Sequence, residues 1–234
     1  MGVKMKKIWI SIIFSIILFF SCTTFSSFYD SWHDVNDLSN IIVLREGEEP
    51  RLIRSSNMND DVNEILSNNY IIIGTTSFNG PDDDITNSIK RQCRQNGATI
   101  ALYGKDYTDT RHGVYTNYYG GVSSYNIRRY DYAVYYFVQR TFLPALGWRL
   151  TNLDNEDRRI FQRNTGAIVY VVLKNTSVFY ANIVRNDIIV RINEHIINNT
   201  DDYWEIYDNL DTGDIIEVEY IRNNRSNIVN IKVE

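Results

Sequence analysis

What most limits the fold of this chain is the order of apolar runs and turns from Leu146 to the end. Leu146-Gly147-Trp148-Arg149-Leu150 opens the stretch, and a short charged helix is expected after it. Gly166-Ala-Ile-Val-Tyr-Val-Val-Leu173 follows, then a one-turn helix over 178–183 and a further apolar run, Asn186-Asp-Ile-Ile-Val-Arg-Ile-Asn-Glu-His-Ile-Ile197. A helix is expected over 201–210, closed by the turn Asp211-Thr212-Gly213-Asp214, and strands over 215–222 and 227–233 end the chain. Short β-branched runs bounded by turn residues read as strands, and longer amphipathic ones as helices. The outcome is one compact module over 145–234.

That order of elements and turns resembles a PDZ domain of the bacterial, protease-associated (HtrA-like) type. The matching pieces are Leu146-Gly147-Trp148, Gly166-Ala-Ile-Val-Tyr-Val-Val172, the 186–194 run and Asp211-Thr212-Gly213. Two residues depart from the family pattern: Asn186 stands where Gly usually precedes Asp187, and Glu194 where Gly usually follows Asn193. Both are turn positions at which polar residues tolerate left-handed backbone. The resemblance implies a PDZ-like α+β/β-barrel fold. It also implies capture of a peptide as an extra strand beside an edge strand, with backbone amides of the 145–148 loop on the terminal carboxylate. On this reading Leu146, Gly147, Trp148, Arg149 and Leu150 form one wall. The other is the 201–210 helix, with Trp204 and Tyr207 spaced i, i+3 and Tyr203 as the competing position one step round.

The bulk numbers fit one or two domains with sizeable cores: 234 residues, 44% hydrophobic and 13% aromatic. A net charge of −5 argues against nucleic acid as a partner. Cys22 and Cys93 are the two cysteines, so neither a disulfide framework nor a cysteine metal site is expected.

Residues 1–22 read as a targeting signal. Lys4, Lys6 and Lys7 precede the thirteen-residue apolar run 8–20, a length suited to a signal core and short for a membrane-spanning helix. Leu18-Phe19-Phe20-Ser21-Cys22 resembles a bacterial lipobox, which implies lipid on Cys22, palmitate included, and a cell-membrane or outer-membrane envelope lipoprotein. Phe19 departs from the usual Leu there, and an ordinary cleaved signal or an uncleaved anchor is the competing reading. Residues 23–39 read as a polar tether with scattered aromatics.

Residues 40–140 are expected to form a small α/β domain. A strand at 41–44, a helix at 60–68, a buried strand at 70–74, a helix opened by Pro81 and Asp82 to Asp84, and a strand at 98–103 give a βαβ order with parallel pairing. Ile85, Ile89 and Cys93 share one helix stripe, which points to a buried thiol. The Tyr-rich stretch 104–129 reads as a long loop or an extended hairpin, either a sugar- or partner-contacting surface or a sheet-edge excursion. Residues 130–140 return as a strand antiparallel to the rest. The bridge at 141–145 is short and apolar.

Catalysis finds no footing in these motifs. The three histidines His33, His112 and His195 lack metal-ligand spacing, and neither Gly-x-Ser-x-Gly nor Gly-Asn-Ser-Gly-Gly occurs. No catalytic residue, metal or cofactor is expected. Two functions stand: an envelope-anchored adaptor that binds peptide segments or C-termini of protein partners, and a structural or sensor lipoprotein whose PDZ-like fold packs on its own α/β domain. Open space between 146–150 and 201–210 favours the first. A groove filled by Trp148 or by the Tyr-rich stretch favours the second.

Overall fold

The computed structural model describes residues 25–116 and 121–234. The signal at 1–22 with its Cys22, and Tyr118, Tyr119 and Gly120 of the Tyr-rich stretch, lie outside the described residues. The first sheet comes from β1 (Tyr29–Ser31), β2 (Ile41–Ile42), β3 (Arg51–Arg54), β4 (Tyr70–Pro81), β5 (Ile100–Thr116) and β6 (Val122–Arg140). Helix α1 (Met58–Ser67) precedes β4, and α2 (Thr86–Asn96) lies between β4 and β5.

The strand order is β1-β4-β6-β5-β3, with β2 also beside β6. This corrects the expected βαβ neighbours. β4 and β5 do run in the same direction, since each is antiparallel to β6, but β6 lies between them. Among the described residues the one directly parallel pair is β3 with β5. The physical reason is that β6 is apolar on both faces: Tyr132, Val134, Tyr136 and Val138 are buried on one side and Phe137 on the other. Such a strand belongs in the middle of a sheet, with both edges bonded.

Two further expectations change, and one pair of alternatives is resolved. Pro81 ends β4 opposite Arg129, and α2 begins only at Thr86, whose amide donates to the Asp84 carboxylate at 3.0 Å. From Phe25 on, the supposed tether belongs to the domain: Phe25 and Phe28 pack on Phe78, Tyr29 packs on Tyr136, and β1 pairs with β4. In its described residues the 104–129 stretch follows the hairpin alternative. β5 and β6 stay paired out to Thr116 and Val122. Its strand period is masked in the sequence by Gly, Ser and Thr on both faces.

The second sheet contains β7 (Trp148–Asn152), β8 (Ala167–Val172), β9 (Ile188–Ile192), β10 (His195–Ile196), β11 (Ile215–Arg222) and β12 (Arg225–Lys232). Three short helices interleave with them: α3 (Asn155–Phe161), α4 (Ser177–Tyr180) and α5 (Thr200–Tyr207). The order is β12-β11-β9-β8-β7, every pair antiparallel, with β10 beside β9. Asn223 and Asn224, at φ of 51° and 59°, make the two-residue turn between β11 and β12. The core of this sheet holds Leu146, Trp148, Val169, Ile189, Tyr203, Ile216 and Val218.

One face of the first sheet is covered by α2, through Ile85, Ile89 and Cys93. The other is covered jointly by α1 and the second module: Val171 and Leu173 share a buried cluster with Ile65, Leu66, Ile72 and Phe137. Around that cluster the Lys174 amide donates to the Ser67 carbonyl at 2.9 Å, and Lys174 pairs with Glu64. The modules therefore meet through a common apolar core as well as through the 141–145 connection.

Candidate functional site

Strand β7 ends the path of the second sheet, so its outer edge has no strand partner among the described residues. The loop that leads into it is shaped by Gly147, which sits at φ +69°, a region costly for residues with a Cβ. A Cβ there would collide with the buried Thr176 side chain. Each part of the loop backbone is fixed: the Gly147 amide donates to Pro144 O at 2.9 Å, Gly147 O accepts from the Leu173 amide at 2.7 Å, and Ala145 O accepts from the Glu234 amide at 2.9 Å.

Opposite stands α5. The Asn199 side chain caps it by accepting from the amides of Asp201 and Asp202, and Asp202 accepts from the Asn198 amide, which holds its carboxyl below the ordinary value. The inward face of α5 carries Tyr203, Ile206 and Tyr207, and Leu210 in the turn after it continues the i, i+3, i+4, i+7 spacing of an amphipathic helix.

Three hydrogen bonds tie α5 to β7 and its loop. At the helix start, the Thr200 amide donates to Asn152 Oδ1 at 2.8 Å. In the middle, Trp148 Nε1 donates to the Tyr203 hydroxyl at 3.1 Å, with the two rings edge to face at 6.1 Å. At the loop end, the Ala145 amide donates to the Tyr207 hydroxyl at 3.3 Å. Trp148 and Tyr203 are both almost fully buried, and this burial pushes the Tyr203 hydroxyl pKa up. The groove floor is thus filled by the protein's own side chains, and a tyrosine hydroxyl already sits on one loop amide.

Residues 144–233 match the PDZ domain family. No curated protein matches the chain. Among solved structures, a variant of the HtrA-type protease AlgW with a decapeptide is similar at 14% identity, with a TM-score of 0.36 over 55% of this chain and 40% of that one. The same protease with a decapeptide in another structure gives 14% and 0.36, over 52% and 39%. A PDZ domain protein from Parabacteroides distasonis gives 9% and 0.24, over 83% and 70%. The chain thus spans about two fifths of the length of the AlgW protease chains it is similar to. The family match covers 144–233, the second sheet and its loop.

Within this PDZ-matching module the expected site residues divide. Leu146, Trp148 and Leu150 line the core side of β7, and Gly147 shapes the loop. Tyr207 faces the loop through its hydroxyl, which accepts from the Ala145 amide. Trp204 does not form the inner wall: it is half exposed and packs from outside, tilted against Tyr203 and edge to face with Tyr207. Tyr203 takes the inner place, because the buried face of α5 follows Ile206 and Leu210. That spacing was in the sequence, whereas the large aromatic at 204 drew the eye.

Arg149 points the other way. Its Nη1 donates to Tyr70 O of the first module at 3.1 Å, and its Nε and Nη2 are buried without a partner. Burial, and after it the charge of Arg140, pushes its pKa down to about 10. Asn152 was missed, since a polar strand end leaves no mark in the sequence, whereas the Ala145 amide belongs to the 145–148 loop whose backbone donors the resemblance implied.

The Asn186–Asp187 turn proves structural. Asn186 has φ +71°, and the buried Asp187 carboxylate accepts from Arg222 Nε at 2.6 Å and from the Val184 amide at 2.9 Å. At the second departure it is Asn193, at φ +51°, that takes the left-handed backbone, with no such conformation at Glu194. Among the described residues no cluster of three or more His, Cys, Asp or Glu could hold a metal ion.

Proposed function

We propose that the module captures an extended peptide, or the C-terminus of a protein partner, by strand addition at the free edge of β7, and that the Tyr207 hydroxyl holds the place of a ligand oxygen when no peptide is bound. The observation that carries this reading is the bond from the Ala145 amide to Tyr207. It occupies a donor that the PDZ resemblance assigns to a terminal carboxylate, and at 3.3 Å it is a long hydrogen bond. An anionic acceptor would make a stronger one. The chain is an adaptor without catalytic chemistry, held at an envelope membrane by lipid on Cys22; the Lys-rich start, the apolar run 8–20 and Ser21-Cys22 support that anchor.

The test is selection of binders from a library of displayed C-terminal peptides, followed by titration of the best one against wild type and Tyr207→Phe. A neutral hydrogen bond is worth about 0.5–1.5 kcal/mol, so freeing the amide raises affinity by roughly two- to tenfold. Amidation of the peptide C-terminus should abolish that gain. Failure to select any peptide, or equal affinity for both proteins, removes the proposal.

A second reading has its own support. The filled Trp148–Tyr203 floor and the apolar core shared between modules suit a structural lipoprotein whose PDZ-like module packs on its first domain and takes no peptide. A library that yields no binder, in a protein that stays folded, selects this one.

A further inference from the structure

Beyond the sheet that carries them, β5 and β6 continue as a two-stranded arm. β4 pairs with β6 as far as Arg129, the Asp82 amide still donates to Arg128 O at 3.2 Å, and β3 accompanies β5 only as far as Tyr103, so from Arg111↔Ile127 to Thr116↔Val122 the two strands continue beyond the rest of the sheet. A lone ribbon in water is marginally stable, yet the end of this one displays apolar side chains on both faces. Val114 and Val122, about 70% exposed, share one face; Tyr115, Tyr125 and Ile127 share the other, all exposed. Tyr125 lies over Gly113 and fills the space that a side chain would take there.

Charge varies along the same arm. Between 107 and 129 there are three cations, Arg111, Arg128 and Arg129, against one anion, Asp109, in a chain whose net charge is −5. Arg111 and Arg128 stand one and two steps inward of the exposed apolar end, on opposite faces.

We infer that this arm docks end-on on an anionic lipid surface, with Val114, Tyr115, Val122 and Tyr125 in the headgroup region and Arg111 and Arg128 against lipid phosphates. Three observations favour lipid over a protein groove. The apolar side chains surround the end instead of forming one face. Tyrosine is the aromatic that rests at a bilayer interface. The cations sit just behind the apolar end, where arginine reaches phosphate while its stem stays in the apolar layer. Unpaired strand edges keep the arm out of the hydrocarbon, so the contact is interfacial. The inference does not depend on lipid at Cys22.

The test uses the full chain with an environment-sensitive dye on Val114→Cys, and the same dye on Ile228→Cys, an exposed site on β12, as control. A Cys22 that carries lipid offers no thiol to the dye, any label there is common to both proteins, and buried Cys93 does not react. Each protein is mixed with nanodiscs of phosphatidylcholine alone or with phosphatidylglycerol, with and without brominated acyl chains. The expected result is a blue shift and bromine quenching at 114 but not at 228 in the anionic discs. Both effects should be lost in Arg111→Ala/Arg128→Ala, and lost at about 1 M salt, where the screening length falls to about 3 Å. Retention on discs without quenching at 114 overturns the arm while leaving the anchor standing. Salt-reversible retention with quenching supports the arm and removes the anchor. A shift at 114 that appears without lipid and grows with protein concentration assigns the arm to a second copy and overturns the inference.

Discussion

Removing the hydroxyl of Tyr203 tests whether the groove floor is a built feature. Tyr203→Phe keeps the ring and its edge-to-face contact with Trp148, but leaves buried Trp148 Nε1 without an acceptor. A buried donor stripped of its partner costs about 1–3 kcal/mol. Wild type should therefore be more stable than Tyr203→Phe by that amount, read from urea unfolding monitored by far-ultraviolet circular dichroism. Adding Trp148→Phe removes the donor as well, so the two changes should be non-additive, the cavity left by the smaller ring being the remaining cost. A pH series gives an independent check. Burial raises the Tyr203 pKa in the folded state, so the folded protein keeps a proton that the unfolded chain releases near 10. The Tyr203 contribution is thus whole below about pH 10 and is lost as pH rises above it, and the stability difference between wild type and Tyr203→Phe should shrink there. A Tyr203→Phe protein within about 0.5 kcal/mol of wild type at neutral pH, inside the range of ordinary surface substitutions, would refute the reasoning.

Gly147→Val should unfold the second module instead of weakening binding selectively. It combines left-handed backbone with a collision on buried Thr176, a loss of at least about 2 kcal/mol visible in thermal unfolding. Cys93 should resist alkylation in the native protein and react at once in denaturant, since it is fully buried and burial pushes its thiol pKa up to about 12. Arg149→Met should raise the unfolding free energy by on the order of 1 kcal/mol, because a buried guanidinium with two unpaired nitrogens costs more than its one bond to Tyr70 returns. A clear loss of stability in that variant would show that the bond dominates.

Legibility in the sequence followed the range of the forces involved. The second module was readable almost element by element because its turns are local. Its left-handed positions are filled mainly by asparagine where the family pattern has glycine, as at Asn186, and neighbouring turns use Asn175, Asn182, Asn193, Asn223 and Asn224 in the same way. The helix stripe of Ile85, Ile89 and Cys93 was readable for the same reason. Strand order was not. Nothing near β4 or β5 says that β6, which begins at Val122 after β5 has run from Ile100 to Thr116, will enter between them; only its two apolar faces hint at it. At the site, the large aromatic side chains and the glycine of the loop were more legible than a polar residue at a strand end. Asn152, which accepts from the Thr200 amide at the start of α5, carried no such mark.

The opposite faces of β7 explain why one short strand can matter to both modules. Trp148 and Leu150 belong to the core beneath α5, whereas Arg149 between them reaches across the junction to Tyr70, at the start of β4. The neighbouring strand repeats the arrangement: Val169 packs into the second sheet's core, and Val171 packs into the cluster shared with α1 and Phe137. A peptide added at the edge of β7 therefore meets a strand held from behind by the first module. Such a strand has little backbone freedom left to lose on binding, so less of the interaction energy goes into ordering it. Separating the modules would loosen that support and expose the guanidinium of Arg149 together with the apolar surface of Val171 and Leu173. Docking and the geometry of the edge are in this way a single structural property, and a change at the Arg149–Tyr70 contact should be felt in the groove even though neither side chain lines it.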